Sequence, residues 1–461
     1  MEWLRYGAQH YPDRICINEY TYNDIYGGVL HVASELIHLE SSRVAILSDN
    51  SVTMAIYVLA AMLAHKEVLL LNVHLKPNEI GNQLKQLGVT TVLHSKERHN
   101  QLPSSLCAIE FEPIESILSN LNLEDTFDWN FDDADIAAIM NTSATTGQFK
   151  SVPLRWGQIR AHVQASQEVL GKTAQDNWLM VLPLFHVSGL SILMRSLYNG
   201  TAITILPKYD EAKALELIET EKINMMSLVP TILTHLEPKI THHTLRVILL
   251  GGEFIPMALI DACEKKSLPI YKTYGMTETF SQSVTFSVLD YPHKRDSVGK
   301  PLPGMQVRID NPDADGVGEI HLTGPMVMTG YIDKEPIDGD LNTDDIGYVD
   351  EDGFVYILNR RKDLIISGGE NIYLKELEDL VYTLPAVKEC AVVPVSDPKW
   401  GQVPALFVAF HDGESMTADA ILSFMTSSLA KYKIPKYVRI LPALPRNGTG
   451  KIVRNKLRLE D

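Results

Sequence analysis

The segment TSATTGQFK at 142–150 gathers four hydroxyl side chains, one glycine and a terminal lysine directly after the apolar run DIAAIM. Hydroxyls and loop amides in this density can wrap the oxygens of a polyphosphate while Lys150 neutralises charge. The glycine-lysine-Ser/Thr order of a Walker loop is absent, and on composition alone the segment reads equally as a Ser/Thr-rich turn. Any phosphate held here needs local help. With 41 Lys+Arg against 58 Asp+Glu the net charge is −17, a field that repels polyanions at long range. Small-molecule substrates are therefore expected as partners, with no nucleic acid and no integral membrane association; self-association is left open.

Five further segments remove the ambivalence. They are PLFHVSGL (183–190), LLGGEFIP (249–256), YGMTET (274–279), NTDDIGYVD (342–350) with NRRKDLIISGGENIY (359–373), and PRNGTGK (445–451). In this order and with these gaps they resemble the signatures of the adenylate-forming superfamily: acyl- and aryl-CoA ligases, peptide-synthetase adenylation domains and luciferases. The resemblance covers nearly the whole chain. Within the superfamily, FHVSG, YGMTET followed by SQ, and DLIISGGENIY look most like the branch that ligates 2-succinylbenzoate to CoA in menaquinone biosynthesis. The fold it implies is α/β, a large N-terminal domain of several subdomains plus a small mobile C-terminal α+β domain. The chemistry it implies uses ATP, Mg2+ and coenzyme A: a carboxylate attacks the α-phosphate, pyrophosphate leaves, and the CoA thiol then displaces AMP.

An anion must approach an anionic phosphate, so catalysis of this kind is mostly positioning plus positive charge at the reacting oxygens. The resemblance places Lys451 as the adenylation lysine and Glu278 as the Mg2+-binding carboxylate. It places Thr142, Ser143, Thr145, Thr146, Gly147 and Lys150 around the phosphates. Gly251, Gly252 and Tyr274 match the adenine pocket, where missing side chains admit a flat base and an aromatic face stacks on it, and Glu253, Gly275 and Thr277 are further ATP/AMP-binding matches. Asp345 and Arg360 match the ribose contacts. His186 matches the histidine that lines the acyl pocket and gates CoA entry; its role is orientation, because a carboxylate nucleophile is already ionised at neutral pH. Ser367, Gly368 and Gly369, with Lys431 and Lys433, lie where relatives run along the pantetheine arm. Lys362 takes the hinge position.

The pattern is broken in three places. Ala144 replaces the first glycine of the usual TSGTTGxPK, Phe149 replaces its proline, and Asp344 stands where the familiar TGD has glycine. None of these removes a group that does chemistry, so an enzyme is expected. The rival readings are a ligase for another aryl acid such as benzoate, a stand-alone adenylation domain that loads a carrier-protein thiol, and a degenerate nucleotide binder. The absence of a carrier attachment motif after Lys451 disfavours a built-in synthetase module, and intact Lys451 and Glu278 disfavour the degenerate homologue.

A substrate with two carboxylates also needs a cation for the one that does not react. Arg195 follows Ser188 by seven residues in SGLSILMRSLYNG. If the segment is helical, the two side chains share a face, and that face begins at the acyl-pocket motif. The alternative for Arg195 is an ordinary pairing with some acidic side chain.

Positioning these groups requires parallel βα units. VAILSDNS, the apolar stretch Met54 to Ala64 and VLLLN read as one; the runs at 202–206, 225–229, 246–250 and 269–274, with Asp210 and Pro256 opening helices, read as more. Ligands in such sheets sit at the carboxyl ends of the strands. After Asp350 the pattern changes to mixed α+β, so the expected division is 1–358, a hinge at 359–363, and 364–461. Cys16, Cys107, Cys263 and Cys390 show no CxxC spacing, and the longest apolar run is about half a bilayer span, so a reduced, cytoplasmic protein is expected.

Overall fold

The computed structural model describes residues 1–461 apart from 105, 122–124, 144–148, 254, 361–363, 368–369, 398–399, 430, 447–450 and 460–461. Strands Arg43–Leu47 and Glu67–Leu70 run parallel around helix Val52–Leu63, the first of the expected βα units. Ser51 starts that helix by accepting a hydrogen bond from the Met54 amide at 3.0 Å. Every residue from Met54 to Leu63 is buried, which is why the segment is apolar on all faces and not along one stripe. These strands belong to a six-stranded sheet ordered Cys107–Glu110, Thr91–His94, Arg43–Leu47, Glu67–Leu70, Ile136–Ser143, Phe149–Arg155.

The middle of the chain builds a second sheet. Strands Ile270–Met276, Val247–Gly251, Met225–Leu228, Asn177–Met180 and Ala202–Ile205 lie side by side and parallel. Asp210 accepts from the Lys213 amide at 2.9 Å to cap helix Glu211–Glu219. Strand Ser281–Ser287 closes one flank antiparallel to Ile270–Met276, and Ile15–Ile17 extends the other beside Ala202–Ile205. Helices Tyr22–Leu36, Val52–Leu63, Trp156–Leu170 and Val187–Asn199 share one continuous apolar core with both sheets. Burial of this core is the main stabilising term. Gly251 and Tyr274–Met276 stand at the carboxyl ends of their strands.

A four-stranded antiparallel sheet follows, ordered Gln306–Asp310, Gly318–Thr323, Asp340–Val349, Val355–Arg360. Its last strand runs through Asn359 and Arg360, so the stretch expected as a hinge at 359–363 begins as sheet; Lys362 lies outside the described residues. Strands Leu364–Ser367, Glu370–Tyr373, Val387–Asp397, Gly401–Phe410 and Tyr437–Ile440, with helices Leu374–Tyr382 and Ala418–Ser428, then pack around apolar clusters of their own. No helix among the described residues is long and apolar enough to cross a membrane.

Asp344 explains why a glycine is familiar at its position: its φ is +60°, in the left-handed region. Aspartate tolerates this better than most residues, and the Asp344 amide donates to Asn342 Oδ1 at 2.9 Å. We expect Asp344→Val to be less stable than Asp344→Gly by about 1 kcal/mol or more in urea unfolding. Equal midpoints for the two variants would rule out a left-handed backbone there.

Candidate active site

The TSATTGQFK segment is a β-hairpin. Thr142 sits opposite Lys150 and Ser143 opposite Phe149 in the antiparallel strands, while the tip with Ala144, Thr145, Thr146 and Gly147 lies outside the described residues. The Lys150 ammonium stands 4.8 Å from the centroid of the Tyr331 ring. The Tyr331 hydroxyl in turn donates to Glu278 Oε1 at 2.8 Å. One phenol therefore ties the phosphate-loop lysine to the motif carboxylate. Burial, then the Glu278 charge, raises the Tyr331 pKa, which keeps the proton on its oxygen as a donor. The Glu278 carbonyl accepts from the Met328 amide at 2.8 Å and from Gln158 Nε2 at 3.0 Å, fixing the short turn Thr277–Thr279. A carboxylate steadied this way and set beside a phosphate-binding lysine fits Mg2+, which takes one or two protein oxygens and fills its shell with phosphate and water.

The nucleoside residues converge on a neighbouring strand pair. Tyr274 donates its hydroxyl to Asp345 Oδ2 at 2.5 Å, and Asp345 is buried. The Asp345 amide donates to Thr343 Oγ1 at 3.1 Å, and Arg360 lies directly opposite Asp345 in the sheet register. A Cβ on Gly251 would fall 2.5 Å from the Thr273 carbonyl oxygen, and Gly252 has φ +82°. Gly275 is tighter still: a Cβ there would meet the Ser281 carbonyl oxygen at 1.5 Å. Glu253 accepts from Thr231 Oγ1 at 3.1 Å, and burial raises its carboxyl against the opposing pull of Arg446 and Lys451.

On the acyl side, His186 immediately precedes helix Val187–Asn199 and is half-buried, with its Nε2 atom buried and lacking a hydrogen-bond partner. Burial first, then the charges of Lys451 and His74, hold its ring at about 4. The imidazole is neutral at pH 7, which suits orientation and not proton abstraction. Lys451 is thereby close enough to act on both His186 and Glu253. Ser188 is half-buried in the first turn of the helix.

Arg195 departs from the alternative reading, an ordinary pairing with an acidic side chain. It is 1 % exposed, and Nη1 donates to Gln282 Oε1 at 2.5 Å. Its guanidinium carbon lies 4.8 Å from the Trp178 ring centroid, while Nε and Nη2 are buried without partners. No acidic side chain pairs with it among the described residues. Burial lowers its pKa to about 9, so it stays cationic at neutral pH.

The CoA candidates divide. Ser367 is buried in a strand opposite Glu370 and Gly401. Lys433 donates to both Glu376 oxygens at 2.7 Å, whereas Lys431 is exposed. Gly368 and Gly369 lie outside the described residues. Tyr331 is missing from the sequence reading, and Gln282 enters it only as the end of the SQ that follows YGMTET, with no role attached. Each works through partners far along the chain, and neither sits in a periodic pattern that would mark it. We expect Tyr331→Phe, which keeps the ring and loses the donor to a carboxylate, to raise the ATP Michaelis constant about tenfold. An unchanged ATP constant would separate Tyr331 from the Glu278 site.

Comparison with known proteins places this geometry. The family model for the AMP-binding enzyme matches residues 4–332, and that for the AMP-binding enzyme C-terminal domain matches 376–451. The 2-succinylbenzoate–CoA ligase of Lactococcus lactis is 50% identical over 460 residues, covering 99% of this chain and 100% of that one. The o-succinylbenzoate CoA synthetase of Bacillus subtilis, solved with the acyl-adenylate intermediate, superposes with a TM-score of 0.89 at 33% identity, covering 100% of this chain and 98% of that one. The same enzyme solved with ATP and magnesium ion gives 0.90 at 33% identity, covering 99% and 98%. Motifs, fold and full-length similarity agree: the chain belongs to the AMP-binding enzyme family.

Proposed function

We propose that this protein is an ATP-dependent acid–thiol ligase that activates 2-succinylbenzoate as its acyl-adenylate and transfers the acyl group to coenzyme A. The observation that carries the choice of acid is Arg195. A buried guanidinium with two unpartnered donor nitrogens and no carboxylate beside it is an unfilled anion site. A substrate with a second carboxylate fills it; a simple monocarboxylate leaves the cation uncompensated. Full-length similarity to a ligase of that name supports the same choice.

In the first step a carboxylate oxygen forms a bond to the α-phosphorus as the bond to pyrophosphate breaks. Lys150 neutralises phosphate charge, Tyr274 and Asp345 orient the nucleoside, and Lys451 approaches from the His186 side to meet charge developing between the two anions. Glu278, positioned by Tyr331, would hold Mg2+, which supplies further charge neutralisation at the phosphates. In the second step the CoA sulfur attacks the acyl carbon, the carbon–oxygen bond to AMP breaks, and the thiol proton leaves to solvent. Neutral His186 lines the path without competing as a base. We further propose a division at 359–363 between an N-terminal domain (1–358) and a C-terminal domain (364–461) that turns about Lys362 between the two steps, with Lys431 and the 367–369 strand end serving CoA. ATP and CoA supply places this work in the cytoplasm.

Pyrophosphate release across a panel of aryl acids, with and without CoA, tests the reading. Release with 2-succinylbenzoate and thioester formation on adding CoA are expected; release with benzoate alone would overturn the assigned acid, and none with any acid would favour a degenerate binder. Lys451→Ala is expected to abolish adenylate formation while sparing thioester formation from pre-made acyl-adenylate, and equal loss in both would exclude that role. Arg195→Ala is expected to lower the specificity constant for 2-succinylbenzoate at least tenfold, the equivalent of about 1.4 kcal/mol, with ATP affinity barely changed. An unaltered constant would remove Arg195 from the acid site.

A further inference from the structure

The guanidinium of Arg195 is held by an amide where a carboxylate would be the ordinary choice. Gln282 Oε1 accepts from Arg195 Nη1 at 2.5 Å and from Ser166 Oγ at 2.7 Å. Its other amide atom is also committed, since Nε2 donates to Thr285 Oγ1 at 3.0 Å. These partners settle which way the amide faces: turning it over would aim an NH2 group at a cation. The backbone is fixed as well, because the Gln282 amide donates to His162 Nε2 at 3.2 Å. Arg195, Gln282, Ser166 and His162 are all at most 1 % exposed. Burial, reinforced by the Arg195 charge, keeps His162 neutral, so its ring can accept that bond.

A charge-free acceptor has a distinct consequence. Glutamate at 282 would hold the guanidinium equally well but would cancel its charge, leaving nothing to attract a ligand anion. Glutamine fixes one nitrogen and leaves the charge and the other donors available; Nε and Nη2 are the two buried nitrogens without partners. The face of Trp178 adds a second charge-free support. The chain also spends strain to place this residue. Phe280 and Ser281, immediately before it, both have positive φ, 54° and 103°. The bend seats Gln282 opposite Gly275 in the hairpin register, next to the nucleotide motif.

We propose that Gln282 is a positioning residue that sets acid specificity: it orients Arg195 without neutralising it, so that Nε and Nη2 form the fork that grips the second carboxylate of a dicarboxylic aryl acid. The inference rests on the Arg195 reading above.

The test uses the full-length enzyme, 2-succinylbenzoate, and the two monocarboxylates made by replacing either carboxylate with hydrogen, assayed as substrates or competitive inhibitors. Gln282→Leu is expected to raise the Michaelis constant for 2-succinylbenzoate at least tenfold and to weaken the monocarboxylate that retains the gripped carboxylate, with the ATP constant and the constant for the monocarboxylate that lacks it within twofold of the parent. Gln282→Glu, which keeps the shape and supplies its own carboxylate to Arg195, is expected to hold or raise the thermal midpoint and still lose preference for the diacid at least tenfold; it carries the test should the leucine variant fail to fold. In the double variant with Arg195→Ala, the Gln282→Leu effect should vanish. Full diacid preference in both Gln282 variants, alongside a tenfold loss in Arg195→Ala, overturns the positioning role and leaves the Arg195 reading standing. No loss in Arg195→Ala overturns that reading and this inference together. Equal losses for diacid, monocarboxylates and ATP would mark a merely structural residue and also overturn it.

Discussion

The structure is organised around one electrostatic problem: two anions must touch inside a protein whose own net charge is −17. Bulk attraction is unavailable, so positive charge is placed singly and given a local setting. Lys150 lies over the Tyr331 ring, Lys451 is brought to the His186 and Glu253 side, and Arg195 is buried between Trp178 and Gln282. Lys150 and Arg195 rest on π faces, and Arg195 also on a neutral acceptor, supports that hold a cation without cancelling it. The same logic keeps His186 neutral: with its ring at about 4, no second positive charge competes with Lys451.

The hairpin formed by Ile270–Met276 and Ser281–Ser287 joins the proposed nucleotide and acid sites through one antiparallel strand pair. Its first strand carries Tyr274, its turn carries Glu278, and its second strand carries Gln282. The register allows no side chain at Gly275, where the facing backbone comes too close, and it requires left-handed backbone at Phe280 and Ser281. Strain of this kind persists only when packing on both sides holds it, and here Phe280 is fully buried against His162. A ligand change felt at Tyr274 thus has a short, stiff route to Arg195.

Much of this was legible in the sequence because the relevant signals are local. The parallel units were readable from apolar runs with capping residues, and Asp210 and Ser51 do cap the helices they precede. Motif order singled out Tyr274 and Asp345, which share a hydrogen bond, and Glu278, which accepts from Tyr331. What was not legible depends on distance along the chain. Tyr331 reaches Glu278 across 53 residues and Gln282 reaches Arg195 across 87, with no spacing rule to connect them. The helical placement of Arg195 followed from periodicity, but its burial did not, because the helix Val187–Asn199 is enclosed on the faces that sequence alone would assign to the cleft. The extension of the last N-terminal strand through Arg360 was hidden for a related reason: charged residues read as a hinge, although the strand pairing with Asp345 needs only their backbone.

Isotope transfer tests the central claim most directly. 2-Succinylbenzoate labelled with 18O in its carboxylates is incubated with the enzyme, ATP and CoA, and the AMP formed is analysed by mass spectrometry. If a carboxylate oxygen attacks the α-phosphorus and the CoA thiol later breaks the acyl carbon–oxygen bond, each AMP carries one 18O and pyrophosphate carries none. AMP without label, or label in pyrophosphate or inorganic phosphate, would contradict activation through an acyl-adenylate.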